Sequence, residues 1–183
     1  MGRFSLRRDE AVLVIVDVQE RLASVMAERQ RVVDNCLHLI EAARLLEVPV
    51  VVTEQYPKGL GPTVAEISGA LPSYRPVEKL TFDCCGEAAF MGAMSSVGRK
   101  KAVLAGMESH ICVLQTALGL LDAGYGVHAV GDAMCSRRRE NHETALGLMR
   151  DAGAVITCTE TALFQLLERA GTPEFKAISR RIK

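Results

Sequence analysis

Two hydrophobic periods alternate along the chain. Ala11-Val-Leu-Val-Ile-Val16 is an unbroken, mostly β-branched run that stops at Asp17. Such a run marks a strand buried on both faces. Pro49-Val-Val-Val-Thr53, Lys101-Ala-Val-Leu-Ala-Gly106, Val127-His-Ala-Val-Gly131 and Ala154-Val-Ile-Thr157 repeat the signature. Between them the period lengthens. Residues 35–46 place Leu37, Ile40, Leu45 and Leu46 around Ala42 and Ala43, which suits an amphipathic helix. Residues 87–97, 112–123, 138–151 and 159–170 read as further helices. Gly124 and Gly153 stand just past two of them, as helix stops do. Residues 54–76 hold four of the six prolines and predict a long irregular loop, a kind of segment that often carries function. Residues 175–183 form a basic tail of no assigned structure.

Alternating strands and helices predict an α/β architecture with a mainly parallel sheet, in one domain spanning residues 1–183. Such a sheet binds ligands beyond the carboxyl ends of its strands, near the switch in strand order. Asp17, Thr53-Glu54-Gln55 and Gly106-Met107-Glu108 stand at such ends.

Composition removes several classes of function. A chain of 183 residues buries roughly 70% of its unfolded surface and needs no disulfide or metal staple. Lys plus Arg and Asp plus Glu are both 22, so there is no basic excess and no nucleic-acid partner is expected. A neutral surface fits a homo-oligomer. The longest apolar run falls far short of the roughly 20 residues that span a membrane, so no membrane partner is expected. The first ten residues lack the apolar stretch of a secretory leader. The cysteines at 36, 84, 85, 112, 135 and 158 form no Cys-x-x-Cys pair, and read as free thiols in a reducing cytoplasm.

Three residues suggest chemistry. Cys112 opens a helix after a buried strand, where backbone N–H groups favour a thiolate and can hold an oxyanion. It reads equally as a buried, inert thiol. Asp17 reads as a base toward that thiol or as a strand-end cap. Lys79 reads as a cation that keeps both groups charged, or as a solvated surface lysine. Competing patterns are missing: no Gly-x-Gly-x-x-Gly follows the first strand, and no Gly-x-x-x-x-Gly-Lys or Gly-x-Ser-x-Gly occurs. His38, His110, His128 and His142 have no metal-binding spacing. Three of them read as structural, and His110, two residues before Cys112, as a substrate contact. Arg137-Arg138-Arg139 is followed by Glu140 and Glu143, which favours a solvated helix start or a subunit contact. Cys84-Cys85 reads as packing near the pocket.

Four motifs in order then resemble the isochorismatase-like cysteine hydrolases: Val14-Ile-Val-Asp-Val-Gln19, Glu78-Lys79-Leu-Thr-Phe82, Gly106-Met-Glu-Ser-His-Ile-Cys-Val-Leu-Gln-Thr116 and Gly131-Asp-Ala-Met-Cys-Ser-Arg137. The resemblance runs from about residue 11 to 167. It implies a three-layer Rossmann-like fold with a six-stranded, mainly parallel sheet flanked by helices. It implies a catalytic triad of Asp17, Lys79 and Cys112, and a cis peptide between Met107 and Glu108. The N–H groups of Glu108 and Cys112 would form the oxyanion hole. Gln19, Gln55, Tyr56, Phe82 and His110 would surround a small-molecule substrate. Thr53-Glu-Gln-Tyr-Pro57 replaces the Asp-x-His motif of metal-binding members, which implies no metal and no cofactor. The expected reaction is hydrolysis of an amide-like or related acyl bond, with Lys79 lowering the thiol pKa below its usual 8.5 or so. The alternatives are a catalytically silent binding or scaffold protein of the same fold and a thiol redox sensor.

Overall fold

The computed structural model describes residues 2–182; Met1 and Lys183, the ends of the N-terminal segment and of the basic tail, lie outside them. The elements are β1 (Ala11–Val16), α1 (Glu20–Ala23), α2 (Arg29–Leu45), β2 (Val50–Gln55), α3 (Pro57–Leu60), α4 (Ala65–Ala70), β3 (Val77–Lys79), α5 (Ala88–Val97), β4 (Lys101–Met107), α6 (Leu114–Asp122), β5 (Gly126–Cys135), α7 (Arg139–Ala152), β6 (Val155–Thr157), α8 (Thr159–Leu167) and α9 (Pro173–Arg181). A 3₁₀ turn covers Cys84–Gly86 and a π-helical turn Ser109–Val113.

One six-stranded sheet runs in the order β3-β2-β1-β4-β5-β6, with every pairing parallel. The order reverses at β1, which lies between β2 and β4. Val16 is in register with both Thr53 and Gly106, so three strand ends meet there. Strand side chains alternate between faces, and β1 feeds two cores. Ala11, Leu13 and Ile15 pack with Val33, Leu39 and Ile40 of α2, Leu163 of α8 and Ile178 of α9. Val12, Val14 and Val16 pack with Phe90 and Met94 of α5, Leu120 of α6 and Met149 of α7. Each large side chain buried this way contributes about 1.5–3 kcal/mol.

Several elements differ from the sequence pattern for local reasons. Helix α2 starts six residues before the expected Asn35. Its first turns are polar, but Glu28–Arg31, Gln30–Asp34 and Arg29–Glu66 contacts support them, and Val32, Val33 and Cys36 extend the buried face. Residues 54–76 are not irregular throughout; they contain α3 and α4. Strand β5 runs past Gly131 to Cys135, because a bulge absorbs residues 130–133 before pairing resumes at Gly106–Met134. In that bulge the Asp132 carboxylate accepts bonds from Thr159 N (2.7 Å) and Oγ1 (2.8 Å) at the start of α8. Helix α8 stops at Leu167, where Glu168 turns left-handed (φ 63°). The basic tail is helical: Thr172 caps α9, Pro173 opens it and Ile178 buries it.

Two residues inside this frame have measurable consequences. Gly106 has φ +133°, and a Cβ there would lie 2.0 Å from the Val16 carbonyl oxygen. Glycine therefore lets β1 and β4 close together beside the site. Gly106→Ala should cost more than about 3 kcal/mol in urea unfolding. Gly147→Ala, inside α7 with nothing within 4 Å of the added Cβ, should gain about 0.5–1 kcal/mol.

His128 is buried in β5; burial, reinforced by the Lys101 charge, pushes its imidazole down from 6.5 to about 4. Between those values the unfolded chain binds a proton that the folded chain does not. Stability is therefore lost as pH falls from about 6.5 toward 4. By about pH 5 the loss from this one group is about 2 kcal/mol. A His128→Leu chain should lose about that much less stability than the parent between about pH 7 and pH 5, measured by urea unfolding at each pH.

Candidate active site

Three strand ends supply the first half of the site. The chain leaves β1 at Asp17, which adopts a left-handed conformation (φ 50°) that Asp tolerates better than most residues. Thr53 Oγ1, from β2, donates to Asp17 Oδ1 at 2.7 Å. Lys79, the last residue of β3, places Nζ 2.7 Å from Asp17 Oδ2, and both side chains are fully buried. The ammonium also donates to Gln55 Oε1 (2.7 Å) and to the carbonyls of Thr81 (3.2 Å) and Phe82 (3.4 Å). Burial pulls the Lys79 ammonium down; the Asp17 carboxylate, with smaller help from Cys84 and Cys112, holds it above its usual value. Lys79 therefore stays charged.

The second half follows β4. The Met107–Glu108 peptide is cis. The chain then forms the π-helical turn, in which the Glu108 carbonyl accepts bonds from Ile111 N (3.1 Å) and Val113 N (3.2 Å). Cys112 sits in this turn, before α6 begins, and only 5% of it is exposed. The Asp17 carboxylate and the Lys79 ammonium are close enough for both charges to act on its thiol. Burial pushes that thiol up to about 12, Asp17 adds to the push, and Lys79 pulls the other way. Lys79 acts in the direction expected from sequence, but burial and the carboxylate outweigh it. The resting side chain is a thiol near a carboxylate, not a thiolate.

Leu22, Gln55, Leu60, Phe82, Glu108, Ile111 and Cys112 line a cavity of about 100 Å³. Gln55, Phe82 and Glu108 are thus brought to Cys112. Gln19 lies beneath, its amide bonded to the backbone of Gln55 (3.0 and 2.7 Å) and Gly61 (2.7 Å), and it does not reach the cavity. Tyr56 lines a neighbouring cavity of about 410 Å³ with Leu80, Pro57 and Glu87. His110 is turned away: Nδ1 lies 2.9 Å from Ser136 Oγ and Nε2 3.3 Å from Asn141 Nδ2.

Sequence reasoning missed the apolar wall of Leu22, Leu60 and Ile111. Leu22 and Leu60 lie on helices too short for a periodic signal, and Ile111 on the π-helical turn. Glu54, a strand-end candidate from the sequence, is a clamp instead: its carboxylate accepts from Thr63 N (2.6 Å), Thr63 Oγ1 (2.8 Å) and the Tyr74 hydroxyl, and so fastens the segment that carries Leu60. Cys84 is buried with its thiol 3.8 Å from Thr53 Oγ1; burial pushes it up to about 11 against the pull of Lys79. All six cysteines are free. Among the described residues, no group of three or more His, Cys, Asp or Glu is arranged to hold a metal ion, and no helix is long and apolar enough to cross a membrane.

Comparison with known proteins places this geometry in context. The family description "Isochorismatase domain" matches residues 11–161. The chain is 43% identical over 177 residues to the "Secreted isochorismatase effector Isc1" of Phytophthora sojae, covering 94% of this chain and 84% of that protein. Among solved structures it resembles the MAR1 ribonuclease of Caenorhabditis elegans (TM-score 0.90, 34% identity, 97% and 92% of the two chains). The YcaC protein of Escherichia coli, described as an octameric hydrolase of unknown specificity, has the same fold (TM-score 0.90, 22% identity, 97% and 90%).

The Asp17–Lys79 pair makes a direct prediction. Breaking one side of a buried ion pair leaves the other charge uncompensated, which costs about 3–5 kcal/mol. Lys79→Ala should lose that much stability in urea unfolding. Asp17→Asn combined with Lys79→Met removes both charges and should lose at most about half as much.

Proposed function

The chain belongs to the isochorismatase family, and from that premise we propose that it is a cysteine hydrolase of a small amide-like or related acyl substrate, acting through a covalent intermediate on Cys112. The observation that carries this reading is the fully buried Asp17–Lys79 ion pair, set close enough to the Cys112 thiol for both charges to act on it. An inert core cysteine has no need of such a partner, and the charges are costly to bury.

The chemistry follows from the resting protonation. Asp17 takes the Cys112 proton as the sulfur attacks the substrate carbonyl carbon. The carbonyl π electrons move to oxygen, and the backbone N–H groups of Glu108 and Cys112 hold that oxyanion; each such donor is typically worth about 100- to 1,000-fold in rate. Protonated Asp17 then returns its proton to the leaving nitrogen as the C–N bond breaks. Asp17 next takes a proton from water, whose oxygen attacks the thioester. The Cys112–acyl bond breaks and the sulfur recovers its proton from Asp17. Lys79 stays charged throughout. It offsets the carboxylate when Asp17 is ionised and the developing negative charge when Asp17 is protonated.

The cavity limits the substrate. Its volume of about 100 Å³ lies well below the roughly 300–1,000 Å³ of pockets for drug-sized ligands. Leu22, Leu60, Phe82 and Ile111 present an apolar wall, so a small uncharged acyl group fits best. The ribonuclease name belongs to the nematode neighbour; a cavity of about 100 Å³ favours a smaller substrate here. We also read the chain as a homo-oligomer. The exposed Tyr56, Leu80 and Phe82 beside the cavity support this, as does the octameric state of the bacterial neighbour.

A panel of short-chain amides, carbamoyl compounds and esters tests the reading. Turnover should vanish in Cys112→Ala and fall by about 100- to 10,000-fold in Asp17→Asn, the usual effect of losing a general acid–base. Full turnover by Cys112→Ala would overturn it.

A further inference from the structure

The first three side chains after the cis peptide, those of Glu108, Ser109 and His110, all lean on one segment, residues 136–142. The Glu108 carboxylate accepts from Arg137 N (2.8 Å) and from Arg137 Nε (3.2 Å to each oxygen). Ser109 Oγ lies 2.8 Å from His142 Nδ1. His110 Nδ1 lies 2.9 Å from Ser136 Oγ, and Asn141 Nδ2 lies 3.3 Å from His110 Nε2. An amide N–H₂ can only donate, so His110 Nε2 is the acceptor and Nδ1–H donates to Ser136. Successive residues of the loop are thus tied, one by one, to the end of β5 and the start of α7.

Arg137 differs from the other ties. Its side chain is 59% exposed, so it adds little to the core, yet its partner is a carboxylate only 4% exposed. Glu108 itself lines the cavity with Gln55, Cys112 and four apolar side chains. No other side chain is bonded to it among the described residues. Without the guanidinium, a nearly buried negative charge would be left at the start of the turn that carries Cys112. It would oppose thiolate and oxyanion formation, and in this apolar surrounding it would be poorly screened.

We propose that Arg137 is a positioning residue for the Cys112 reaction: by pinning and neutralising the Glu108 carboxylate it keeps the nucleophile loop in place and its cavity free of uncompensated negative charge. This inference rests on the hydrolase reading above. A lysine has no N–H at the Nε position from which Arg137 meets both carboxylate oxygens, so it should substitute only in part.

The test needs no substrate. Alkylation of Cys112 by iodoacetamide is followed at about pH 9 by peptide-resolved mass spectrometry, which separates Cys112 from the exposed Cys158. The parent is compared with Arg137→Ala, Arg137→Gln, Arg137→Lys and the double variant Glu108→Gln/Arg137→Ala. Circular dichroism checks the fold of each; the Gln variant keeps the aliphatic stem if Ala disturbs it. Arg137→Ala and Arg137→Gln should react at least about tenfold more slowly, with Arg137→Lys between them and the parent. Removing the Glu108 charge in the double variant should recover most of the lost rate, which a merely structural role for Arg137 would not allow. A parental rate in both Arg137→Ala and Arg137→Gln overturns the proposal. So does a slow rate that persists in the double variant. Either result leaves the hydrolase reading standing, and a failed substrate screen leaves this test intact.

Discussion

A carboxylate and an ammonium buried together, Asp17 and Lys79, set the terms for the rest of the structure. Neither is stable in the interior alone, and each is held where the other needs it. Lys79 can reach Asp17 only because β3 lies beside β2 and β2 beside β1, with Gln55 and Lys79 in register. The remaining lysine protons are met by Gln55 and by the carbonyls of Thr81 and Phe82, so the chain after β3 is drawn over the ammonium. That same stretch brings Phe82 to the cavity wall. One electrostatic requirement therefore fixes both the sheet edge and part of the pocket.

The proposed nucleophile, Cys112, arrives from the other side of the switch in strand order. Val16 faces Thr53 on one flank and Gly106 on the other, and the absence of a Cβ at Gly106 lets β4 approach closely. The chain beyond β4 then carries Cys112 to the Asp17 carboxylate. Burial and Asp17 keep the thiol protonated at rest. A proton held on sulfur near a carboxylate suits the proposed mechanism, in which transfer accompanies attack rather than preceding it. A fully exposed thiolate would be open to oxidants; a thiol at the bottom of a small apolar cavity reacts with what the cavity admits.

Much of this was legible in the sequence because it rests on contiguous signals. The β-branched run of β1 ending at Asp17, and the turn motif around Cys112, point to strand ends and to chemistry without any tertiary information. What escaped depends on partners distant in sequence. The polar start of α2 is held by Glu66 and by its own i,i+3 and i,i+4 contacts. β3 has only three residues, too few for a period to show. Leu22, Leu60 and Ile111 look like any surface leucine or isoleucine until the chain folds them around Cys112. His110 looked like a substrate contact because it is near Cys112 in sequence, but its ring nitrogens meet Ser136 and Asn141. The sign of the net shift on the Cys112 thiol was beyond the sequence too, since it is decided by depth of burial.

The central claim is that Cys112 carries the acyl group during turnover. The most direct measurement is a rapid acid quench with a short-chain activated ester such as p-nitrophenyl acetate, followed by mass analysis of the Cys112 peptide. An acyl adduct that appears on Cys112 in a burst, decays as free acid accumulates, and fails to decay normally in Asp17→Asn is the predicted result. Hydrolysis that proceeds with no adduct on Cys112 at any time would contradict the account.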